Sequence, residues 1–339
     1  MTVVHPERDA WELLSRSRQL TEPFLRKAIG RLPGRTRAIA EYHFGWKDRD
    51  GNPDVGGWGK GMRGALVLAS ARAMGGAPES AAAAAAAVEL VHNFSLLHDD
   101  LMDRDTVRRK RPTVWSQFGD AQAVLTGDAL LVVAMEMLSD GPAMLRELCE
   151  SLLSLVGGQD EDLAFEQRMD IDLDACVAMA AGKTAALLAG SCALGGLVAR
   201  ADPRRVHALR KFGHHLGLAF QLVDDLLGIW GHDAVSGKPV GSDLRRRKKS
   251  LPVVAALTSD RPEARKLDEL YRPEAGPLTE DGIREVAHLI ERAGGRAWAE
   301  REAERQRAMA LAALEAAAPA EEGAQALGSL ARIITHRDR

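Results

Sequence analysis

The sequence is short of features that mark several large classes of protein. Aromatic residues make up only 4% of its 339 residues, whereas alanine and leucine are abundant, a composition that favours helices over sheets. The net charge is only −3, and the basic clusters lie near acidic clusters. This balance argues against nucleic acid as the main partner and favours a small anionic ligand.

Cysteines and long apolar runs are also scarce. Cys149, Cys176 and Cys192 have neither pairing nor metal-site spacing, so we expect buried thiols in a reducing compartment. The N-terminus carries charges among its first residues and has no apolar signal core. The longest apolar stretch, 184–199, spans about 16 residues and falls short of the roughly 20 that cross a bilayer. These absences predict a cytoplasmic protein without a membrane span.

What the sequence does contain is helical periodicity. It predicts helices over 8–30, from the alanine run 81–87 to about Met102, over 121–138 and over 205–230. Two or three amphipathic helices are expected in roughly the last 80 residues. A polar break is expected at 157–162. No convincing strand and no domain-separating linker is visible, so we predict a single all-α domain over residues 1–339.

One stretch, Val88–Pro112, presents acids and then basic residues. Its apolar run ends in Asp99, Asp100, Asp103 and Asp105, and it is followed by Arg108, Arg109, Lys110 and Arg111. Asp99 and Asp103 stand at i,i+4 and share a helical face. Carboxylates kept together despite their repulsion usually hold a cation, and Mg²⁺ bridges carboxylates to substrate phosphates. The alternative is a solvated helix end with mixed charges.

A second apolar run ends in the same way, at Asp224 and Asp225. If the two helices are neighbours across a bundle core, the two acidic pairs would face each other, as metal ligands of bundles do. Each pair is followed by a basic cluster, which here includes Lys238 and the run 245–249. For any single basic residue of this second cluster, the alternative is a solvated loop.

Two further positions on predicted helices call for partners. Lys183 and its neighbour Thr184 lie in an apolar setting, where a lysine needs a partner such as a diphosphate or a route to solvent. Gln221, one turn before Asp224, needs hydrogen-bond partners if it is buried. It is otherwise an ordinary polar core residue.

The remaining candidates lie on the N-terminal side. His92 precedes Asp99 by two turns on the same face, although a lone helical histidine is more often structural. Lys60 and Arg63 stand among glycines at a predicted helix start, a position suited to an anion. No nucleotide-binding fingerprint is present, because no strand precedes these glycines.

Six segments in order carry a family resemblance. The run 98–109, His-Asp-Asp-Leu-Met-Asp-Arg-Asp-Thr-Val-Arg-Arg, and the run 220–225, Phe-Gln-Leu-Val-Asp-Asp, resemble the two aspartate-rich motifs of the trans-isoprenyl diphosphate synthases, the polyprenyl synthetase family. Residues 59–63, 182–184, 237–238 and 243–252 are similar to its diphosphate-binding segments. The resemblance covers about 56–252.

The resemblance implies an all-α, isoprenoid-synthase-type helical bundle around a deep central cavity, usually a homodimer. It implies Mg²⁺-dependent head-to-tail prenyl transfer, which condenses isopentenyl diphosphate with an allylic diphosphate, releases diphosphate and gives a short-chain all-trans prenyl diphosphate. By position, Asp99, Asp103 and Asp224 would bind about three Mg²⁺ ions. Further residues would hold the allylic diphosphate (Arg108, Lys183, Lys238, Lys248), hold isopentenyl diphosphate (Lys60, Arg63, His92, Arg109) or lie near the carbocation (Thr184, Gln221).

The sequence departs from the family pattern at a few positions. Gly228 replaces the third acid of the second motif, and His232 with Asp233 follows, so one metal would be held less tightly or through water. Gly64 stands where the family often has proline, which would loosen that helix start.

Phe94, five residues before Asp99, would form a floor for the growing chain, which favours a C20 product and next a C15 product. Two alternatives are a class I terpene cyclase, which shares the fold and the metal chemistry, and a non-catalytic subunit of a heteromeric synthase.

Overall fold

A computed structural model of the chain describes residues 6–54, 57–231, 241–272 and 276–335. Helices dominate, as the periodicity predicts. The first eight α-helices are α1 (Pro6–Ile29), α2 (Gly34–His43), α3 (Met62–Ala73), α4 (Ala82–Met102), α5 (Val114–Phe118), α6 (Asp120–Met137), α7 (Pro142–Gln167) and α8 (Leu173–Ala180). The others described are α9 (Ala186–Val198), α10 (Pro203–Trp230), α11 (Ser242–Arg245), α12 (Leu251–Leu257), α13 (Pro262–Tyr271), α14 (Glu280–Arg292), α15 (Gly295–Ala316) and α16 (Glu321–Thr335).

A short β-hairpin follows α4, where no strand was expected. Its strands, β1 (Val107–Arg108) and β2 (Arg111–Pro112), pair in antiparallel fashion. The two residues between them, Arg109 and Lys110, have positive φ angles of 52° and 62°. Two consecutive left-handed residues give the turn that matches the twist of paired strands. A two-residue strand is too short to leave an alternating pattern in the sequence.

The predicted polar break at 157–162 is wrong, because α7 continues through it. A Cβ on Gly158 would overlap with the backbone of Gly182 and Lys183. The glycine therefore allows a close approach between α7 and a π-helical segment, Ala181–Ala185. The helix count near the C-terminus also differs from the expected two or three, because α13 to α16 make four.

The chain divides into two compact units. Unit 1 comprises 1–150, 190–210 and 317–330. At its centre α4 packs against α1, α3 and α6. The alanine run allows this packing, since Ala85, Ala86 and Ala87 are fully buried and their small side chains let neighbouring helices come close.

Unit 2 comprises 151–189, 211–316 and 331–339. One apolar cluster forms around Phe165, Cys176, Leu222 and Leu251. A second cluster contains Val253 and joins α12 to α13 and α14, whereas α12 meets α15 in the first cluster. The chain passes between the units within helices α7, α9, α10 and α16. The single domain over 1–339 stays a prediction.

Two helical stretches are long and apolar enough to cross a membrane by length and composition. They are Pro78–Met102, with 72% of its apolar window buried inside the protein, and Leu173–Val198, with 67%. Such burial is typical of the core helices of a soluble protein. These stretches do not establish a membrane span.

Candidate active site

The first acidic motif lies at the C-terminal end of α4. Asp99 is on the last turn, and Asp103 follows the helix with its N–H donating to the carbonyl oxygen of Asp99 at 2.8 Å. Asp100 is buried, and Arg108 Nε donates to its Oδ1 at 2.7 Å. Burial raises the pKa of Asp100 to about 6, although the Arg108 guanidinium opposes this shift. The ion pair ties the hairpin to the acidic helix end.

Two hydrogen bonds to the carbonyl oxygen of Asp105 join the residues just before the hairpin to those just after it. The oxygen of Asp105 accepts from Thr113 Oγ1 and from Trp115 Nε1, each at 2.7 Å. The turn presents Arg109 towards the glycine-rich segment, since a Cβ on Gly59 would lie 2.9 Å from Arg109 Nη2. The hairpin thereby brings the second arginine of the basic run to the loop that carries Lys60.

Lys60 lies on this loop, Arg63 lies on α3 and His92 lies on α4, all within unit 1. The Lys60 ammonium lies 5.3 Å from the ring centroid of Trp11, and Arg63 is the second residue of α3. Burial and the positive charges of Arg63, Arg109 and Arg108 keep the pKa of His92 well below its ordinary value. An imidazole kept neutral by burial and by the charges of three guanidinium groups fits a site for an anion.

A pocket beside the hairpin is lined by Asp100, Arg108, Arg109 and His43. His43 Nε2 lies 3.1 Å from Asn93 Oδ1. Burial, with Arg109 and Arg108 next in effect, lowers the pKa of His43 to about 3. His43 was not among the predicted residues, because nothing in the sequence pairs α2 with the basic run.

In unit 2 the π-helical segment carries Lys183 and Thr184. Lys183 Nζ is 2.5 Å from Asp162 Oδ2 on α7. Thr184 Oγ1 donates to Gln221 Oε1 at 2.5 Å. Single π turns within helices are frequent at functional sites, where the extra residue redirects side chains. Lys183 is therefore held by a carboxylate rather than extending freely to solvent.

The second acidic pair continues this network. Gln221 Nε2 donates to Asp225 Oδ1 at 2.7 Å, and the backbone N–H of Leu251 donates to Asp225 Oδ2 at 3.0 Å. Burial raises the pKa of Asp225 to about 7, against the influence of Lys248. Asp225 therefore orients Gln221 and the start of α12, whereas Asp224 beside it is exposed.

Lys248 is surrounded by negative charge. Burial alone would lower its pKa, but the carboxylates of Asp162, Asp243, Asp225 and Asp224 together raise it above the ordinary value. The lysine stays charged, as the proposed binding of a diphosphate requires. Asp162 was missed in the sequence analysis, because Gly157 and Gly158 nearby were interpreted as a loop instead of a close helix contact.

Gly228, which replaces the third acid of the second motif, lies against another carboxylate. A Cβ on Gly228 would be 2.6 Å from Asp243 Oδ2. A larger side chain at 228 would displace Asp243. Lys238, His232 and Asp233 lie outside the described residues, so their predicted roles rest on the sequence alone.

The chemistry of the donors fits Mg²⁺ that arrives with a phosphate ligand. Among residues 6–54, 57–231, 241–272 and 276–335, no group of three or more His, Cys, Asp or Glu side chains is arranged to hold a metal. Asp99 and Asp103 offer hard carboxylate oxygens at one helix end. Mg²⁺ is usually bound by one or two carboxylates together with substrate phosphates and waters.

Comparisons with known proteins agree with the resemblance. A family model described as polyprenyl synthetase matches residues 55–290. A (2E,6E)-farnesyl diphosphate synthase of Mycobacterium tuberculosis is 50% identical over 301 residues, which cover 86% of this chain and 84% of that protein. A geranylgeranyl diphosphate synthase of the same species is 47% identical over 308 residues, 89% of this chain and 88% of that protein.

A solved structure is similar along nearly its whole length. The crystal structure of a polyprenyl synthetase from Streptomyces coelicolor A3(2) has a TM-score of 0.91 and 45% identity, covering 95% of this chain and 98% of its own. The chain therefore belongs to the polyprenyl synthetase family, and its predicted all-α fold is confirmed. Enzymes of this family use Mg²⁺.

Proposed function

We propose that this chain is a trans-prenyltransferase that condenses isopentenyl diphosphate with an allylic diphosphate to give a short-chain all-trans prenyl diphosphate. The observation that carries the proposal is the ion pair of Arg108 with Asp100, which sets a basic hairpin beside an acidic helix end. Relatives at 50% and 47% identity that bear the names of farnesyl and geranylgeranyl diphosphate synthases support it.

The reaction breaks the bond between the allylic carbon and the diphosphate oxygen. Mg²⁺, when bound, neutralises the negative charge that develops on the leaving diphosphate. Arg108, Lys183, Lys238 and Lys248 hold the same diphosphate and add positive charge where negative charge develops. Isopentenyl diphosphate, held by Lys60, Arg63, His92 and Arg109, supplies the double bond that attacks the cation. A proton is then lost from the new product to the departing diphosphate.

Thr184 and Gln221 act on the positive charge of the allylic group. The hydrogen bond between them, and that from Gln221 to Asp225, fix their side-chain oxygens in place before any substrate is present. Fixed dipoles stabilise a developing charge without having to reorganise during the reaction.

We assign about three Mg²⁺ ions to the site, two on Asp99 and Asp103 and one on Asp224. Gly228 offers no carboxylate to the third ion, but the Asp243 carboxylate fills the adjacent space. That ion is therefore held with fewer direct protein ligands than the family pattern would give it.

The product is C20, with C15 as the second choice. Phe94 is buried, and its ring centroid lies 4.7 Å from that of His98 in an edge-on arrangement. A ring fixed in this way one turn or more before Asp99 limits the length of an isoprenoid tail. Relatives of both product classes match this chain, so the identity of the product is decided by experiment.

A homodimer fits the surface of α6 in unit 1. Val124, Leu125 and Val132 are exposed by 40%, 56% and 64% and lie on one side of the helix. Burying such an apolar stripe against a second copy removes it from water. We also propose that the protein is cytoplasmic.

Product analysis tests the function. The purified protein is incubated with Mg²⁺, isopentenyl diphosphate and, separately, dimethylallyl, geranyl or farnesyl diphosphate. A single C20 or C15 diphosphate that disappears with EDTA and with Asp103→Asn is the expected result. Hydrocarbon released from an allylic diphosphate alone would mean a class I terpene cyclase. No turnover by folded, Mg²⁺-supplied protein would mean a non-catalytic subunit.

A further inference from the structure

A buried carboxylate in unit 1 has no part in the chemistry proposed above. Glu89 lies on α4, one turn before His92, and is only 2% exposed. Removing a carboxylate from water is costly unless hydrogen-bond donors or positive charges replace the water. The groups that face Glu89 therefore indicate what it holds in place.

The first turn of α3 faces this carboxylate. The backbone N–H of Gly64 donates to Glu89 Oε1 at 2.7 Å, and the N–H of Arg63 also stabilises the ionised form. The first four N–H groups of an α-helix have no acceptor within the helix. Gly61, which precedes α3, provides no side-chain cap. Glu89 thus caps α3 from a neighbouring helix.

Gly64 is suited to this contact in two ways. It has the N–H that a proline at this position would lack, and it has no Cβ, which would lie 3.3 Å from Glu89 Cγ. The expectation that Gly64 loosens the helix start stays a prediction, and the N–H that glycine retains joins α3 to α4.

Positive charges proposed for isopentenyl diphosphate act on the same carboxylate. Burial raises the pKa of Glu89, and the guanidinium groups of Arg63 and Arg109 oppose that shift. The same two groups lower the pKa of His92. Glu89 therefore lies within electrostatic reach of residues from α3 and from the hairpin, and it shares α4 with His92.

We propose that Glu89 is a positioning residue for isopentenyl diphosphate, whose carboxylate fixes the start of α3 so that Lys60 and Arg63 meet the diphosphate in one arrangement. The inference rests on the proposed function, since it concerns the affinity for that substrate. Without the cap, the first turn of α3 frays and the two cations occupy several positions. Substrate affinity then falls with the fraction of molecules in the competent arrangement.

Two substitutions separate the hydrogen bond from the charge. Glu89→Leu removes the acceptor and fills similar space, whereas Glu89→Gln keeps a carbonyl oxygen for the Gly64 N–H. We expect Glu89→Leu to raise the KM for isopentenyl diphosphate at least about tenfold, the loss typical of one hydrogen bond to a charged group. The KM for the allylic substrate should change less than about twofold, and Glu89→Gln should recover most of the lost affinity.

A second route removes the donor instead of the acceptor. Gly64→Pro removes this N–H and adds ring atoms where a Cβ would lie 3.3 Å from Glu89 Cγ, so it should raise the same KM. Combined with Glu89→Leu it should raise the KM by less than the product of the two single effects, because the two changes share one hydrogen bond. The matched control is Glu147→Leu, another buried carboxylate of unit 1, which pairs with Arg210. It should lower the Tm without raising the KM for isopentenyl diphosphate.

The outcomes distinguish this inference from the proposed function. Calorimetry with isopentenyl diphosphate in the absence of Mg²⁺ measures its binding to the basic residues without turnover. An active wild type whose Glu89→Leu variant keeps its KM and Kd, or loses affinity equally for both substrates, overturns the role of Glu89 alone. If Glu89→Leu does not fold, Gly64→Pro and Glu89→Gln provide the same comparison. A wild type that neither turns over nor binds isopentenyl diphosphate overturns both proposals.

Discussion

The imidazole of His98 lies directly against the backbone of Gly127, where a Cβ on residue 127 would be 2.6 Å from His98 Cδ2 and would overlap with Nε2. Nε2 is also 3.2 Å from the carbonyl oxygen of Val124. Because His98 immediately precedes Asp99, this contact fixes the last turn of α4 against α6. The position of the proposed metal ligands therefore depends on a glycine in another helix.

Gly127→Ala should disturb this contact. The added methyl group displaces His98 or separates α4 from α6, so we expect a loss of about 1–3 kcal/mol in the free energy of unfolding. The Mg²⁺ concentration for half-maximal activity should rise, because Asp99 moves with His98. Urea denaturation and Mg²⁺ titration of the prenyl transfer rate measure the two effects.

The control for that change is Gly157→Ala on α7, where a Cβ meets nothing within 4 Å. Alanine there should raise the free energy of unfolding by roughly 0.5–1 kcal/mol, since glycine is unfavourable inside helices. A Gly127→Ala protein with the stability and Mg²⁺ dependence of the wild type would contradict the proposed role of His98.

Phe94→Ala should lengthen the product. Removing a buried ring opens space along α4 for further isoprene units, so the main product should exceed that of the wild type by at least one unit of five carbons. Chromatography with mass spectrometry of the dephosphorylated products measures this. Phe94→Leu, which removes less volume, should give an intermediate distribution. An unchanged product from folded Phe94→Ala would mean that another residue limits the tail.

Mg²⁺ should bind strongly only together with a diphosphate. Since no three-residue metal cluster occurs in the described ranges, Mg²⁺ alone should shift the Tm little, whereas Mg²⁺ with inorganic pyrophosphate should shift it by several degrees. Ligand at a hundredfold its Kd contributes about 2.7 kcal/mol to stability. Asp103→Asn should reduce the joint effect. Equal shifts with and without pyrophosphate would point to a preformed metal site.

Lys110→Gly should stabilise the protein. Lys110 has a φ of 62°, a conformation that costs a residue with a Cβ roughly 1–2 kcal/mol. Part of the gain is offset by the greater entropy of glycine in the unfolded chain, so we expect about 0.5–1 kcal/mol in the free energy of unfolding. Lys211→Gly on α10, an exposed helical position, should instead lose about 1 kcal/mol. If Lys110→Gly were less stable than the wild type, as Lys211→Gly is expected to be, the result would argue against strain in the turn.

His43 should lower the stability of the protein in mild acid, whereas Asp100 and Asp225, whose pKa values are raised to about 6 and about 7, act in the opposite direction. Its pKa is lowered from 6.5 to about 3 in the folded protein, so between these values the unfolded chain binds a proton that the folded protein does not. The contribution of His43 to the free energy of unfolding is therefore complete above pH 6.5 and decreases as the pH falls towards 3, by at most about 1.4 kcal/mol per pH unit for one proton.

His43→Gln should remove that contribution, so the variant should gain stability relative to the wild type as the pH falls from 6.5 towards 3, measured by urea denaturation at several pH values. His92, whose pKa is also lowered, and the carboxylates with raised pKa values keep their contributions in both proteins and cancel from this difference. A slope identical to that of the wild type would mean that His43 is protonated in the folded protein.

The amino-acid sequence alone predicted the long helices and the family, and it indicated the residues proposed for the site. Long periodic helices such as α4 and α10 can be predicted because their apolar faces repeat every three to four residues along the chain. Asp99, Asp103 and Asp224 were recognised because carboxylates at the ends of apolar runs are unusual. The resemblance, confirmed by the comparisons, rests on such local motifs. The facing of the two acidic pairs stays a prediction.

Only the tertiary structure decided which distant groups support those motifs. Three contacts join residues from different helical segments: Glu89 with Gly64, Lys183 with Asp162, and His98 with Gly127. Such pairs have no common spacing in the sequence, because they depend on how helix axes cross and how closely glycine lets them approach. A buried glutamate therefore has the same local sequence signature as a solvated one, and its partner becomes visible only after the helices have packed.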